Sequence, residues 1–286
     1  MAPGQPEKLT SEDVRKTYRY LRIGIIGAVV LLAVAIAIER DKVDCFQTSI
    51  SAYYYTPVRA IFVGFMIAIG LALIVYKGRT TAEDASLNIA GMLAPVVAVA
   101  PTTDVGRCWS VAPSPLPVQE DGSLANWVVT NIDNNFYALL IAGLIGLGIA
   151  LVIALVDRDG PLRELGVRLS LGVTLVLLLF GWWLIENWDD FYSRAHGWSA
   201  VVLIVLLGVA IIAHAIHHRR EGDRGLVWVY LAIPALMALG GLIISLTRVF
   251  DEHTVFALEA YEIGLFAVYW IVQTKEHWDE KVVGAG

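Results

Sequence analysis

Blocks of about 17 to 23 apolar residues recur along the whole chain, each long enough to cross a hydrocarbon core roughly 30 Å thick. They run over 20–38, 60–76, 85–101, 136–156, 165–185, 197–216, 225–247 and 255–273. Only helices or closed barrels satisfy their backbone in lipid, and blocks of this length fit helices. The pattern therefore predicts an all-α, polytopic transmembrane bundle of eight spans. The chain reads as a single transmembrane domain, 1–286, with polar tails at 1–19 and 274–286 and one long loop at 102–135. That loop holds 34 residues, fewer than the roughly 40 a domain usually needs to fold unaided. Whatever the protein does is expected to happen within the bilayer or at its surface.

Composition removes the main alternative. Hydrophobic residues make up 57% of the chain and charged residues 17%, where a soluble domain carries roughly 25% charge. Mean hydropathy is +0.64. A soluble enzyme built around one core is excluded. The net charge of −6 acquires meaning only when the charges are split by side. With eight spans and an internal N-terminus, 15 of the 21 lysines and arginines fall on the inner side. Asn88 and Pro95 interrupt the third span, but omitting it leaves 10 basic residues against 11 and abolishes the positive-inside bias. Both termini are thus expected in the cytoplasm, with the protein multi-pass in the plasma (inner) membrane. The first 19 residues are polar and the first apolar block outruns a signal core, so the first helix is expected to act as an uncleaved anchor.

The two cysteines, Cys45 and Cys108, both fall on the outer side in this topology. Thiols on an oxidising face pair when geometry allows, which predicts a disulfide.

Charge inside the spans is rare, which draws attention to Glu259 and Glu262, one turn apart on one face of the last helix. A carboxylate at that depth costs up to a few kcal/mol unless it is paired, neutralised or hydrated. Partners expected near this depth are Arg59, Arg194 and His196, with Asp133 and Asp189 adding negative charge. These seven residues form the candidate ligand-binding set of an outer-facing polar cavity. Three chemistries fit them: ion pairs that fix helix order, a site for a divalent cation or protons, and acid–base hydrolysis. His214, His217 and His218 look like an intramembrane metal cluster, yet Arg219 and Arg220 follow at once, and the segment reads better as a basic inner flank. No lysine lies inside a span, which excludes a retinal Schiff base. The residues name no catalytic group and fix no cofactor.

The segment Ser49-Ile-Ser-Ala-Tyr-Tyr-Tyr-Thr56, with Arg59 and Phe62-Val-Gly64, and the segment Phe266-Ala-Val-Tyr-Trp270, with Gln273 and Glu276, resemble uncharacterised multispan membrane proteins of actinobacteria. The first segment more loosely resembles the second-helix entry of the alkaline ceramidase and progestin-receptor-like membrane proteins. The zinc set of that wider group has no match here, so zinc-dependent lipid hydrolysis is not implied, and the close family brings no assigned activity. Two functions stay open. One is a non-enzymatic protein that binds or moves a small polar or lipid ligand, or an accessory subunit of a membrane complex. The other is a membrane-embedded hydrolase acting on outer-leaflet lipid. The expected partners are membrane lipids and other membrane subunits, with no nucleic acid.

Overall fold

A computed structural model describes residues 11–120, 123–156, 165–188, 190–222 and 224–278. The helices are α1 (Ser11–Val43), α2 (Arg59–Val75), α3 (Thr81–Val99), α4 (Asn126–Val156), α5 (Leu165–Asn187), α6 (Phe191–Glu221), α7 (Arg224–Thr247) and α8 (Thr254–Glu276). A short 3-10 turn, Ser51–Tyr55, leads into α2. Seven helices are long and apolar enough to cross a membrane, and α2 is a shorter apolar helix of 17 residues. The chain is built as a multi-pass membrane protein.

Three helices, α1, α4 and α6, run well beyond their apolar blocks, α6 at both ends of 197–216. The polar first turns of α1 continue the helix, aided by an i,i+4 ion pair between Glu12 and Lys16 at 2.9 Å. Its 33 residues span about 50 Å, some 20 Å more than a hydrocarbon core. α4 begins at Asn126 rather than Phe136, because Val128, Ile132, Phe136 and Leu140 recur every fourth residue and bury one continuous face. The expected 102–135 loop is shorter by that extension.

Packing proceeds around a ring. α1 lies on α2, α2 on α3, α3 on α6, α6 on α7, α7 on α8, and α8 returns to α1. The α4–α5 hairpin stands outside and leans on α3. Small side chains set the closest approach. Ala90, Ala94 and Ala98 share one face of α3 and are fully buried, and α6 packs most extensively against α3. The ring core is filled by Phe62, Leu73, Leu87, Leu207, Ile211, Phe266, Tyr269 and Trp270. Outward-facing Ile145, Ile149, Leu239, Leu242 and Ile243 remain exposed, as lipid contact requires.

Alternating helix directions give the bundle two ends. At one, Cys45 and Cys108 form the expected disulfide, with Cα atoms 6.3 Å apart. Gln47 pins the same loop: its Oε1 accepts from the Arg107 amide at 3.0 Å and its Nε2 donates to the Cys108 carbonyl. Buried Glu39 accepts from the amide and hydroxyl of Ser110 at 3.1 and 2.6 Å. The disulfide closes a loop of 63 residues, worth about 4 kcal/mol through chain entropy. Replacing Cys45 and Cys108 together by serine is expected to lower the unfolding midpoint in detergent by that scale, an effect that reductant reproduces in the parent. An unchanged midpoint would show that the side-chain hydrogen bonds alone hold the loop.

Candidate functional site

The other end of the bundle gathers two of the histidines, His214 and His218, whose sequence context favours a basic inner flank. His214 and His218, four residues apart on one face of α6, are 0% and 5% exposed. Glu276, in the last turn of α8, reaches between them, with its Oε1 2.8 Å from His218 Nε2 and its Oε2 3.7 Å from His214 Nε2. The two imidazole Nε2 atoms are 3.2 Å apart. Behind His214 sits Glu83, fully buried, whose Oε1 lies 3.1 Å from His214 Nδ1. Tyr230, fully buried on α7, donates its hydroxyl to Glu276 Oε2.

Local sequence explains how Glu83 comes to face inward. Thr80 and Glu83 stand in the spacing of a capping box at the start of α3. The Thr80 hydroxyl accepts from the Glu83 amide at 3.1 Å, and Glu83 Oε2 accepts from the Arg79 amide at 2.9 Å. One carboxylate oxygen is thus anchored to backbone and the other is left for His214. Asp84 takes the solvent side, pairing with Lys77 at 2.5 Å. His277, one residue beyond α8, accepts from Arg79 Nε at 3.2 Å through its Nε2. Burial holds His277 below the usual imidazole pKa, which suits an accepting, neutral ring.

The proton count in this cluster is tight. If Nδ1–H of His214 donates to Glu83, its Nε2 carries a lone pair. His218 Nε2 then has one hydrogen for two acceptors, His214 Nε2 and Glu276 Oε1. A second proton on His214, or a metal ion bound by both lone pairs, removes the conflict. Ligands on a tetrahedral ion at 2.0–2.1 Å are about 3.3 Å apart; here the two imidazole Nε2 atoms are 3.2 Å apart, and one ligand atom from each of the three side chains lies within 4.8 Å of the others. His214, His218 and Glu276 are the group whose ligand atoms converge closely enough to hold an ion among the described residues. Glu83 completes a carboxylate–histidine pair of the kind that fixes the tautomer of a metal ligand.

The seven residues expected to share an outer cavity are brought together only in part. Glu259 and His196 meet through Ser51. The Ser51 hydroxyl is 2.7 Å from Glu259 Oε1 and 2.8 Å from His196 Nε2, while Glu259 Oε2 accepts from the Ile50 amide at 2.5 Å. His196 Nδ1 faces the Ala100 carbonyl at 2.8 Å. Glu262 is buried one turn below, against Gly241, and its Oε2 has no partner. Arg59 neither pairs with a glutamate nor reaches this cluster: it donates to the Tyr54 hydroxyl at 2.6 Å and lies 4.2 Å over that ring. Burial pushes the Tyr54 and Tyr55 phenols above their ordinary pKa. Arg194 pairs with Asp190 at 3.1 Å on the surface, and Asp133 accepts from Tyr192 at 2.6 Å. Asp189 lies outside the described residues. A cleft of about 490 Å³ beside Arg59, lined by Tyr54, Thr56, Val63 and Asn135, includes neither glutamate.

Comparison with protein-family models, curated proteins and solved structures finds no match. Fold and site alone define the class, a multi-pass helical membrane protein with a histidine–carboxylate cluster buried at one end of the bundle.

Proposed function

We propose that this protein is a membrane-embedded metalloprotein with a hydrolytic type of centre, in which His214, His218 and Glu276 bind one divalent transition-metal ion and Glu83 orients His214. The observation that carries the reading is the convergence of the two Nε2 atoms, 3.2 Å apart, with the Glu276 carboxylate, one ligand atom from each side chain lying within 4.8 Å of the others. A set of three protein ligands would match catalytic zinc sites, whereas structural sites are closed by four. A metal held there would supply Lewis-acid chemistry, activating water as a nucleophile near neutral pH. The two carboxylates, Glu83 and Glu276, also give the cluster negative charge that a dication balances.

In our reading all eight helices span the plasma membrane, with α2 the short one and both termini in the cytoplasm. The basic residues gathered at the histidine end support that orientation. The centre then faces the cytoplasmic leaflet rather than the outer one. A second reading, non-enzymatic binding of a small polar or lipid ligand at the disulfide end, is supported by the cleft beside Arg59.

The test is metal content. Protein purified in detergent without chelator is expected to carry about one zinc-like ion per chain, and the His214→Ala, His218→Ala double variant almost none. Equal metal in the parent and in a folded double variant sinks the proposal.

A further inference from the structure

Near the histidine–carboxylate cluster, the first helix presents a run of guanidinium groups that form no ion pair among the described residues. Arg15, Arg19 and Arg22 are spaced i, i+4, i+7 and so share one face of α1. In all three, the Nε atom is buried and without a hydrogen-bond partner. Arg22 is the deepest, at 6% exposure. The one hydrogen bond of its guanidinium among the described residues goes to the Tyr76 hydroxyl at 3.4 Å, and it lies 5.4 Å from that ring. No carboxylate among the described residues forms an ion pair with it. Arg19 lies 4.6 Å over the ring of Trp278. Trp270 packs edge-on against Tyr76 at 5.0 Å, is fully buried, and its Nε1 also lacks an acceptor. Two orphaned buried donors, Arg22 and Trp270, therefore flank one tyrosine.

An uncompensated buried guanidinium is strongly destabilising unless an anion meets it. Depth narrows the choice of anion. Arg22 stands two residues into the apolar block that begins near Tyr20, at the level where lipid headgroups lie. Orphaned N–H donors over seven residues, about 10 Å of helix, call for an acceptor group with several oxygens, and arginine forks match phosphate in a way that lysine does not. Tyr76 links this pocket to the cluster end of the bundle. Its hydroxyl donates to Gln273 Oε1 at 2.8 Å, and the Gln273 carbonyl lies 2.9 Å from His277 Nδ1.

We infer that Arg22, with Arg19 and Arg15 above it, binds the phosphate group of a ligand next to the metal centre. The inference rests on the metal-centre reading for the role of that ligand as substrate, while the binding itself stands on the arginines. The phosphate comes either from a membrane phospholipid or from a soluble phosphate ester.

The full-length protein in phosphate-free maltoside detergent separates the two sources. Thermal unfolding is followed on adding dioleoyl phosphatidylglycerol, glycerol 3-phosphate or inorganic phosphate, with lipid retention read by native mass spectrometry and metal content measured in parallel. We expect the lipid to raise the midpoint and stay bound, and R22Q to weaken it about 10- to 100-fold at unchanged metal content. Stabilisation by glycerol 3-phosphate or phosphate but not by the lipid assigns the soluble source. R22K keeps the charge, and intermediate binding is expected of it if R22Q fails to fold. Absence of stabilisation by every phosphate probe, or equal binding by parent and folded R22Q, overturns the inference. Arg22-dependent phosphate binding by a parent free of metal would refute the metal reading alone.

Discussion

Replacing Glu83 with leucine is expected to lower stability by about 3 to 5 kcal/mol and metal affinity by 10- to 100-fold. Its two oxygens serve two different donors, His214 Nδ1 and the Arg79 amide, and the Glu83 side chain itself is fully buried. An apolar side chain leaves both unsatisfied and frees His214 to switch tautomer, which hides the Nε2 lone pair that faces Glu276. Glu83→Gln tests the two effects apart. Its single carbonyl oxygen can serve only one donor, so a stability loss of about 1 to 3 kcal/mol is expected, with metal affinity falling as far as His214 is the partner lost. Denaturant unfolding in detergent and competitive metal titration measure the two quantities. A leucine variant that binds metal like the parent would remove Glu83 from the site.

The second large effect is expected at the crossing of α2 and α3. Gly70 and Gly91 face each other so closely that a Cβ on Gly91 would stand 2.6 Å from the Gly70 carbonyl oxygen, and one on Gly70 would stand 2.7 Å from the Gly91 carbonyl oxygen. Backbone cannot yield as a side chain does, so Gly91→Val must push the helices apart, at an expected loss of about 3 kcal/mol, with Gly91→Ala closer to 1. α3 carries Glu83 eight residues earlier and packs on the helix that bears His214. The valine variant is therefore expected to weaken metal binding as well, although Gly91 touches no ligand. Midpoints from thermal unfolding, read beside metal content, test both halves. A folded valine variant with unchanged stability would mean that the crossing relaxes more easily than its geometry implies.

The helices were legible in the sequence because lipid imposes a length and a composition on every span, and the disulfide because only two cysteines exist and one face oxidises. The ends of α1, α4 and α6 lie beyond the apolar blocks for the same reason: apolar length marks where a helix crosses lipid, while polar turns extend it further. The histidine cluster was hidden by its neighbours. His214 and His218 sit just before Arg219-Arg220, and the run resembles a basic flank until Glu83 and Glu276, contributed by helices distant in sequence, are laid against it. The usable signal is the i,i+4 spacing of His214 and His218, which sets them on one face. Conversely, Glu259 announced itself as charge in an apolar helix, but the residue that joins it to His196 is Ser51, a small polar side chain in a tyrosine-rich turn. Nothing in the spacing marks Ser51.

The ring of helices closes by the first against the last. Until α8 is seated, α1 has no partner on one flank, and that pairing spans more than 200 residues of chain, a long-range contact of the kind that forms late. α8 also brings Glu259 to one end of the bundle and Glu276 to the other. Closure of the ring and completion of both polar clusters therefore depend on one helix: without α8, neither His196 nor the His214–His218 pair has the α8 carboxylate that meets it.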